Sequence, residues 1–297
     1  MVAYADFHRR SIEDRDAFWS EQAKLVDWET PPQQICDYSN PPFAKWFVGG
    51  KTNICYNAVD RHLKDRADQA ALIFVSTETN QEHTYSFREL HAEVQRMAAI
   101  LKDLGVTKGD RVLIYMPMIA EAAFAMLACT RLGAIHSVVF GGFASHSLAT
   151  RIEDASPKVI ISADAGSRGG KGVPYKPLLD EAINLSAHKP QSVIMVDRKL
   201  AAFTPVPGRD VDYATERAKH MDTVVPCEWV ESTHPSYTLY TSGTTGKPKG
   251  VQRDTVVIPW RWQQAFLIFT KASRVRRSSV PATLVGWWGT ATSSTVH

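Results

Sequence analysis

From Ala70 onward the apolar and polar positions follow two regular periods. Ala71–Ser76 and His83–Phe87 are short β-prone runs on either side of the polar turn Glu78–Gln81, the pattern of a hairpin. Ser86 with Glu89 three residues on forms a capping box. Apolar residues then recur at three- and four-residue spacing (Leu90, Val94, Met97, Ile100, Leu101), predicting a helix that stops at Gly105. Strand and helix patterns alternate beyond it. Strands are expected over Arg111–Tyr115, Ile135–Phe140, Lys158–Ser162 and Ser192–Val196, and helices over about Ile119–Leu132, Ser145–Asp154 and Lys176–Ala187. Alternation at this pitch predicts an α/β fold, a parallel sheet flanked by helices through right-handed crossovers. In such sheets ligands gather beyond the carboxyl ends of the strands.

Residues 1–65 read differently. They are rich in aromatics and proline (Phe18, Trp19, Trp28, Pro31, Pro32, Pro41, Pro42, Phe43, Trp46, Phe47), with helical spacing only over Ser11–Val26. They predict an irregular N-terminal extension that lays its aromatics onto a larger body. Three units are expected: this extension, a partial domain over 66–255, and a tail over 256–297.

Composition narrows the class. The chain is 44% apolar and 22% charged, as in a soluble globular protein. It has no run of 18 apolar residues and no basic-then-apolar leader, so a cytoplasmic protein without a membrane partner is expected. Cys36, Cys55, Cys129 and Cys227 are scattered with no C-x-x-C spacing, which argues against a metal site or a disulfide framework.

The chemistry concentrates in one run. After the β-prone Tyr237–Tyr240 come Thr241, Ser242, Gly243, Thr244, Thr245, Gly246, Lys247, Pro248, Lys249 and Gly250. Three glycines let backbone N–H groups approach an anion, the hydroxyls add donors, and two lysines add positive charge. This is a nucleotide-handling loop but not a Walker A loop, because Pro248 stands where that pattern needs Ser or Thr for magnesium. Two other strand ends are candidates. Gly141–Gly142 follows a buried strand and precedes Ser145, a plausible N-cap; a bare tight turn fits it as well as a ligand. Ser162–Pro174 is glycine-rich and carries Arg168 and Lys171, and it reads as an anion site or as a solvated loop.

These residues carry a resemblance. The Thr241–Gly250 loop resembles the phosphate loop of the adenylate-forming acyl-CoA synthetases. Phe18–Trp19, Trp46–Phe47 and Tyr56–Asp60 are similar to the N-terminal extension of that family's acetyl- and propionyl-CoA synthetase branch, as are Tyr115–Glu121, Gly133–Phe143 and Ser162–Gly166 to later segments. Pro41–Ala44, Phe143–Ser147 and Gly250–Asp254 are similar to its propionate-using members. The likeness covers about residues 4–255.

It implies the N-terminal part of the family's large domain and a two-step reaction. A carboxylate, propionate or else acetate, is joined to ATP as an acyl-adenylate with release of pyrophosphate, and the thiol of CoA then displaces AMP. It further implies that Thr241, Ser242, Gly243, Thr244, Thr245, Gly246, Lys247, Lys249 and Gly250 embrace the ATP phosphates, that Arg168, Gly169, Gly170 and Lys171 hold the CoA phosphates, and that Mg2+ arrives with ATP. Lys171 stands where arginine is frequent, a point charge in place of a bidentate fork. No nucleic acid is implied, and oligomeric state is left open. The family's adenine-binding motif, acyl pocket and C-terminal lysine belong downstream of residue 255, so the chain as written is expected to be inactive. A CoA- or nucleotide-binding remnant without turnover is the alternative.

The segment from Val256 to His297 departs from all of this. Five of the 34 Lys and Arg lie in it and none of the 31 acids, while it holds Trp260, Trp262, Trp287 and Trp288 of the eight tryptophans. It has neither helical nor alternating periodicity. Read one nucleotide early, its codons permit a run ending DIGWVVGHSYIVY, which has the acids and glycines that the written tail lacks and resembles what the family places after the loop. Loss of one nucleotide near the Thr255 codon accounts for this; a basic, Trp-rich tail that binds a partner is the alternative. The nucleotide sequence is the check: the second frame is expected to encode GWVVGH downstream of Thr255, and a second frame without that run overturns the reading.

Overall fold

The computed structural model describes residues 4–168, 171–241 and 248–256. The tail reading therefore falls, from residue 257 on, outside the described residues.

The chain opens with two helices, α1 (Tyr4–Glu13) and α2 (Arg15–Ala23), then an antiparallel pair, β1 (Gln34–Asn40) with β2 (Phe43–Val48). Helix thus begins seven residues ahead of the expected Ser11 and is interrupted at Asp14. The expected aromatic layer is present. Phe18, fully buried, meets Phe7 and Trp19 edge-on at 4.7 and 5.1 Å, Trp19 meets Trp46 at 5.4 Å, and Trp28 lies 5.7 Å from Phe47. Gly50 is required there, since a Cβ on it would stand 2.7 Å from the Trp28 ring.

Short elements link this layer to the body: β3 (Lys51–Thr52), α3 (Ile54–Ala58), a 3-10 turn over Asp60–His62 and α4 (Leu63–Arg66). The hairpin β4 (Ala70–Ser76) with β5 (Gln81–Ser86) follows as the alternation predicts. The capping box then opens α5 (Phe87–Asp103): Ser86 Oγ accepts from the Glu89 N–H, and Glu89 accepts from the Ser86 N–H. Gly105, at φ +78°, takes the left-handed conformation just past its end.

The remaining elements are β6 (Arg111–Met116), α6 (Ala120–Arg131), β7 (Ile135–Phe140), α7 (Ser145–Ala155), β8 (Val159–Ala163), β9 (Ala165–Arg168), β10 (Lys171–Pro174), α8 (Tyr175–Leu185), β11 (Ser192–Val196), β12 (Asp210–Asp212), α9 (Tyr213–Lys219), β13 (Val230–Glu231), β14 (Pro235–Thr241) and β15 (Lys249–Asp254). Seven strands form one sheet in the order β12-β11-β8-β6-β7-β14-β15, parallel throughout except for the last, antiparallel pair. Helices flank it, α5 packed on α6 and α7 on α8. Every residue of β8 and all but the first of β6 are buried, which is why their sequences run continuously apolar instead of alternating.

Three readings need correction. Ser145 is the first residue of α7, not its cap; Ala144 holds that position, and Ser145 Oγ donates to Glu181 at 2.6 Å. The glycine-rich stretch after β8 is an antiparallel hairpin, β9–β10, and not an open loop. β15 makes the sheet mixed at its edge. Cys55 and Cys227, far apart in the chain, meet with Asp60 in one cluster, and all four cysteines are free thiols.

One histidine couples this core to pH. His136 on β7 is 2% exposed and faces Tyr237 of β14, and burial lowers its pKa to about 4. His62 is also held at about 4, first by partial burial and then by Arg61 and Arg66. A histidine whose pKa is depressed on folding contributes full stability above its unfolded pKa near 6.5, and that contribution is lost as pH falls toward 4. Melts across pH 7.5 to 4 should show Tm falling below pH 6.5, with His136 alone accounting for about 3 kcal/mol. A flat Tm over that window is the contrary result.

Candidate functional site

Because β6, β7, β8, β11 and β14 run parallel, their carboxyl ends share one edge of the sheet. All the candidate segments lie there. β8 leads into the β9–β10 hairpin, β7 into Gly141–Phe143, and β14 into the Thr241–Gly250 loop. β8 and β14 are separated by β6 and β7, so their ends stand roughly 14 Å apart, three strand spacings.

Thr241 closes β14 opposite Lys249, and Gly250 lies opposite Tyr240. The Thr241 hydroxyl reaches the Lys249 carbonyl at 3.4 Å. A Cβ on Gly250 would come within 3.0 Å of Thr238 and 3.3 Å of the Tyr240 ring, so this glycine lets β15 lie close over β14. Ser242, Gly243, Thr244, Thr245, Gly246 and Lys247 are outside the described residues, as are Gly169 and Gly170. On the second hairpin, Arg168 and Lys171 face each other directly in register. The structure thus brings the two predicted groups to one edge but does not bring Lys171 into contact with Lys249.

Charges along this edge are unevenly satisfied. Glu78, from the turn of the β4–β5 hairpin, accepts from the Ser167 N–H at 2.5 Å and pairs with Arg198 at 2.5 Å. Arg198 also donates to the Ala165 carbonyl at 3.0 Å, so β9 is anchored at two points. Asp154 of α7 accepts from the Tyr240 hydroxyl at 2.6 Å, and burial together with this bond raises the Tyr240 pKa. Arg151 lies 4.3 Å from the Phe143 ring and 5.5 Å from the Tyr240 ring, its own pKa lowered by burial. By contrast Lys171 and Lys249 are exposed and, among the described residues, have no ion-pair partner. Two free cations among engaged carboxylates suit an anionic ligand.

Gly141 has a packing explanation. A Cβ there would fall 2.1 Å from Tyr175 Oη and 2.4 Å from its Cζ, and one on Gly166 would fall 2.4 Å from the same hydroxyl. Tyr175 is buried between the two turns, and Tyr115 Oη secures the first by donating to the Phe143 carbonyl at 3.2 Å. None of Glu78, Arg151, Tyr175 or Arg198 was singled out from the sequence. A cavity of about 540 Å3 was also missed; it lies beyond β11 and β12, lined by Met195, Asp197, Leu200, Phe203 and Asp212. It sits toward the opposite end of the sheet from β14, and its lining comes from irregular chain with no motif to mark it.

Comparison with known proteins adds a frame to this geometry. Residues 59–267 match the AMP-binding enzyme family, and residues 4–58 match the acetyl-coenzyme A synthetase N-terminus. A propionate–CoA ligase of Escherichia coli (strain K12) is 58% identical over 253 residues, which is 85% of this chain and 40% of that protein. An acetyl-coenzyme A synthetase of Methylorubrum populi is 47% identical over 256 residues, 85% of this chain and 39% of that one. Among solved structures, the acetoacetyl-CoA synthetase from Streptomyces lividans is similar with a TM-score of 0.82 at 28% identity, covering 92% of this chain and 41% of that chain. The chain spans about 40% of the length of these relatives.

The Tyr175 contact gives a direct check. Gly141→Ala should cost about 1–3 kcal/mol, the ordinary penalty for overpacking, in urea unfolding. The same change in a Tyr175→Ala background should cost almost nothing; equal costs in both backgrounds would disprove the contact.

Proposed function

The chain belongs to the AMP-binding enzyme family, and from that premise we propose that it is the N-terminal part of an AMP-forming short-chain acyl-CoA ligase, with propionate as the acid. Identity of 58% to a propionate–CoA ligase against 47% to an acetyl-coenzyme A synthetase supports propionate over acetate. The observation that carries the reading is that Lys171 and Lys249, at one edge of the sheet, are exposed and have no ion-pair partner among the described residues.

In this reading the residues from Thr241 to Gly250 bind the β- and γ-phosphates of ATP, and Lys247 and Lys249 offset the charge that builds as pyrophosphate leaves. Arg168, Gly169, Gly170 and Lys171 take the phosphates of CoA. The strand spacing of roughly 14 Å keeps the two polyanions apart while leaving both on the same edge. The acid is activated as an acyl-adenylate, and the CoA thiol then displaces AMP. Magnesium comes bound to ATP. The metal-competent cluster among the described residues, Cys55, Asp60 and Cys227, offers two sulfurs and a carboxylate already held by Arg131, donors unsuited to that ion.

We assign residues 1–65 to the extension and 66–255 to a partial AMP-binding domain, and read 256–297 as the out-of-frame segment; its first residue, Val256, is nonetheless buried against Ala23 and Phe47. No helix among the described residues is long and apolar enough to cross a membrane, which fits a cytoplasmic enzyme acting on small molecules. Because the chain spans only about 40% of its relatives, binding without turnover is the expected behaviour of the 297 residues alone. Electrostatic catalysis needs several groups held together around the reacting phosphate, and one loop does not supply them.

Calorimetry tests the assignment. Lys171→Ala should weaken CoA binding about tenfold, the loss of one charged contact, and leave ATP binding unchanged; Lys249→Ala should do the reverse. Affinities that ignore both changes overturn the site assignment. Propionate-dependent pyrophosphate release by the purified chain overturns the expectation of no turnover.

A further inference from the structure

Around α3 the fold assembles a group of side chains that this reaction does not use. Cys55 is buried in α3, Arg131 ends α6, Asp60 follows α3, and Cys227 lies in the segment leading to β13. Arg131 donates to both oxygens of Asp60 at 2.9 Å, and its Nη1 lies 3.4 Å from Cys55 Sγ. The Cys55 thiol is 3.8 Å from one Asp60 oxygen and the Cys227 thiol 4.0 Å from the other. The two sulfurs lie within 4.8 Å of one another.

Backbone contacts hold both cysteines at this separation. Asn53, just ahead of Cys55, donates to the carbonyls of Thr130 and Glu228, both at 2.8 Å. On the far side, Arg131 Nε donates to the Val225 carbonyl at 2.5 Å, and the Glu228 N–H donates to the Arg131 carbonyl at 2.7 Å. The chain is therefore clamped on both sides of Cys227.

A cation is poorly served here. It would have to take Asp60 from a guanidinium that is always charged and only 3% exposed, leaving that charge buried and unpaired. A thiol pair fits better. Of the two, Cys227 is only partly buried and so accessible to a small oxidant, whereas Cys55 is inside.

We propose that Cys55 and Cys227 form a reversible oxidation site that a peroxide or a low-molecular-weight disulfide converts to a disulfide, tying α3 to the segment ahead of β13. With hydrogen peroxide, the Cys227 sulfur attacks one oxygen: an S–O bond forms, the O–O bond breaks, and the leaving hydroxide takes up the thiol proton as water. The Cys55 sulfur then attacks the Cys227 sulfur: the S–S bond forms, the S–O bond breaks, and a second water leaves with the Cys55 proton. Two sulfurs lose two electrons and the peroxide gains two. With a low-molecular-weight disulfide the Cys227 sulfur instead attacks one of its sulfurs, breaking the S–S bond as one thiol leaves with the Cys227 proton. The Cys55 sulfur then attacks Cys227, releasing the second thiol with the Cys55 proton. Arg131 stabilises the Cys55 thiolate as it forms. Cys55, whose thiol the neighbouring Cys227 and burial push up, is the resolving partner and not the first to react. Rotation of the two side chains has to bring the sulfurs to about 2.05 Å.

The test treats the purified full chain, natively folded, with hydrogen peroxide or oxidised glutathione. Free thiols are then blocked in denaturant and the unreduced digest is mapped by mass spectrometry. The expected product is a cross-linked peptide pair containing Cys55 and Cys227, lighter by two hydrogens and abolished by dithiothreitol, with Cys36 and Cys129 still alkylatable. In Cys55→Ser, Cys227 should accumulate as a sulfenic acid that dimedone traps; where that variant fails to fold, the map of the unaltered chain decides. The proposal is overturned if Cys55 and Cys227 both stay alkylatable, if Cys227 proceeds to the sulfinic acid without a cross-link, or if stoichiometric zinc is released when the thiols are modified.

Discussion

Both faces of β6 and β8 are out of water, and the helix pairs and the crossovers are arranged to keep them so. A parallel strand cannot be half solvated in the way a hairpin strand can, because its crossover connections set helices against the sheet. Continuous runs such as Val159–Ala163 and Val112–Met116 follow from that burial. At about 25 cal/mol per Å2 of apolar surface buried, these central strands and the helices over them supply most of the driving force for folding.

Polar interactions then decide how the outlying segments attach. Asn53 is fully buried and reaches three carbonyls, those of Thr130, Arg131 and Glu228. Arg131 neutralises Asp60, whose pKa is lowered to about 2: burial opposes the charged form, but His91 and Arg131 outweigh it. Removing one partner of such a pair strands a buried charge and costs far more than the pair contributes. The N-terminal extension is therefore joined to the body by groups that tolerate only one arrangement. The same clamp sets the distance between Cys55 and Cys227.

The candidate edge works on the opposite principle. Carboxylates near it are occupied, Glu78 by Arg198 and Asp154 by Tyr240, whereas Lys171 and Lys249 are left exposed. Glycine serves two purposes along this edge. Gly141 and Gly166 make room for the Tyr175 ring, and Gly250 makes room for β15 to lie close to Thr238 and Tyr240. A glycine after a strand is thus not by itself a sign of a ligand; its neighbours in space determine which purpose it serves.

Local physics carried the strand and helix assignments from Ala70 to Val196, because period-two and 3.6-residue patterns, the Ser86–Glu89 box and Gly105 are each short-range signals. The phosphate-binding role proposed for Thr241–Gly250 rests on the same kind of short-range signal, ten consecutive residues. What lay beyond the sequence were pairings between distant segments. The β9–β10 pairing falls in a glycine-rich stretch that reads as a loop, β15 reads as the end of a loop, and the Glu78–Arg198 bridge joins turns far apart in the chain. The cysteines are the clearest instance. Their spacing argued against a metal site or a disulfide framework and gave no sign of proximity, yet two of them meet because Asn53 and Arg131 satisfy buried carbonyls on either side of them. By itself the sequence determined the α/β class, since that depends on neighbours along the chain; tertiary structure alone decided which charges among the described residues stay free and which thiols face each other, since only packing sets those distances.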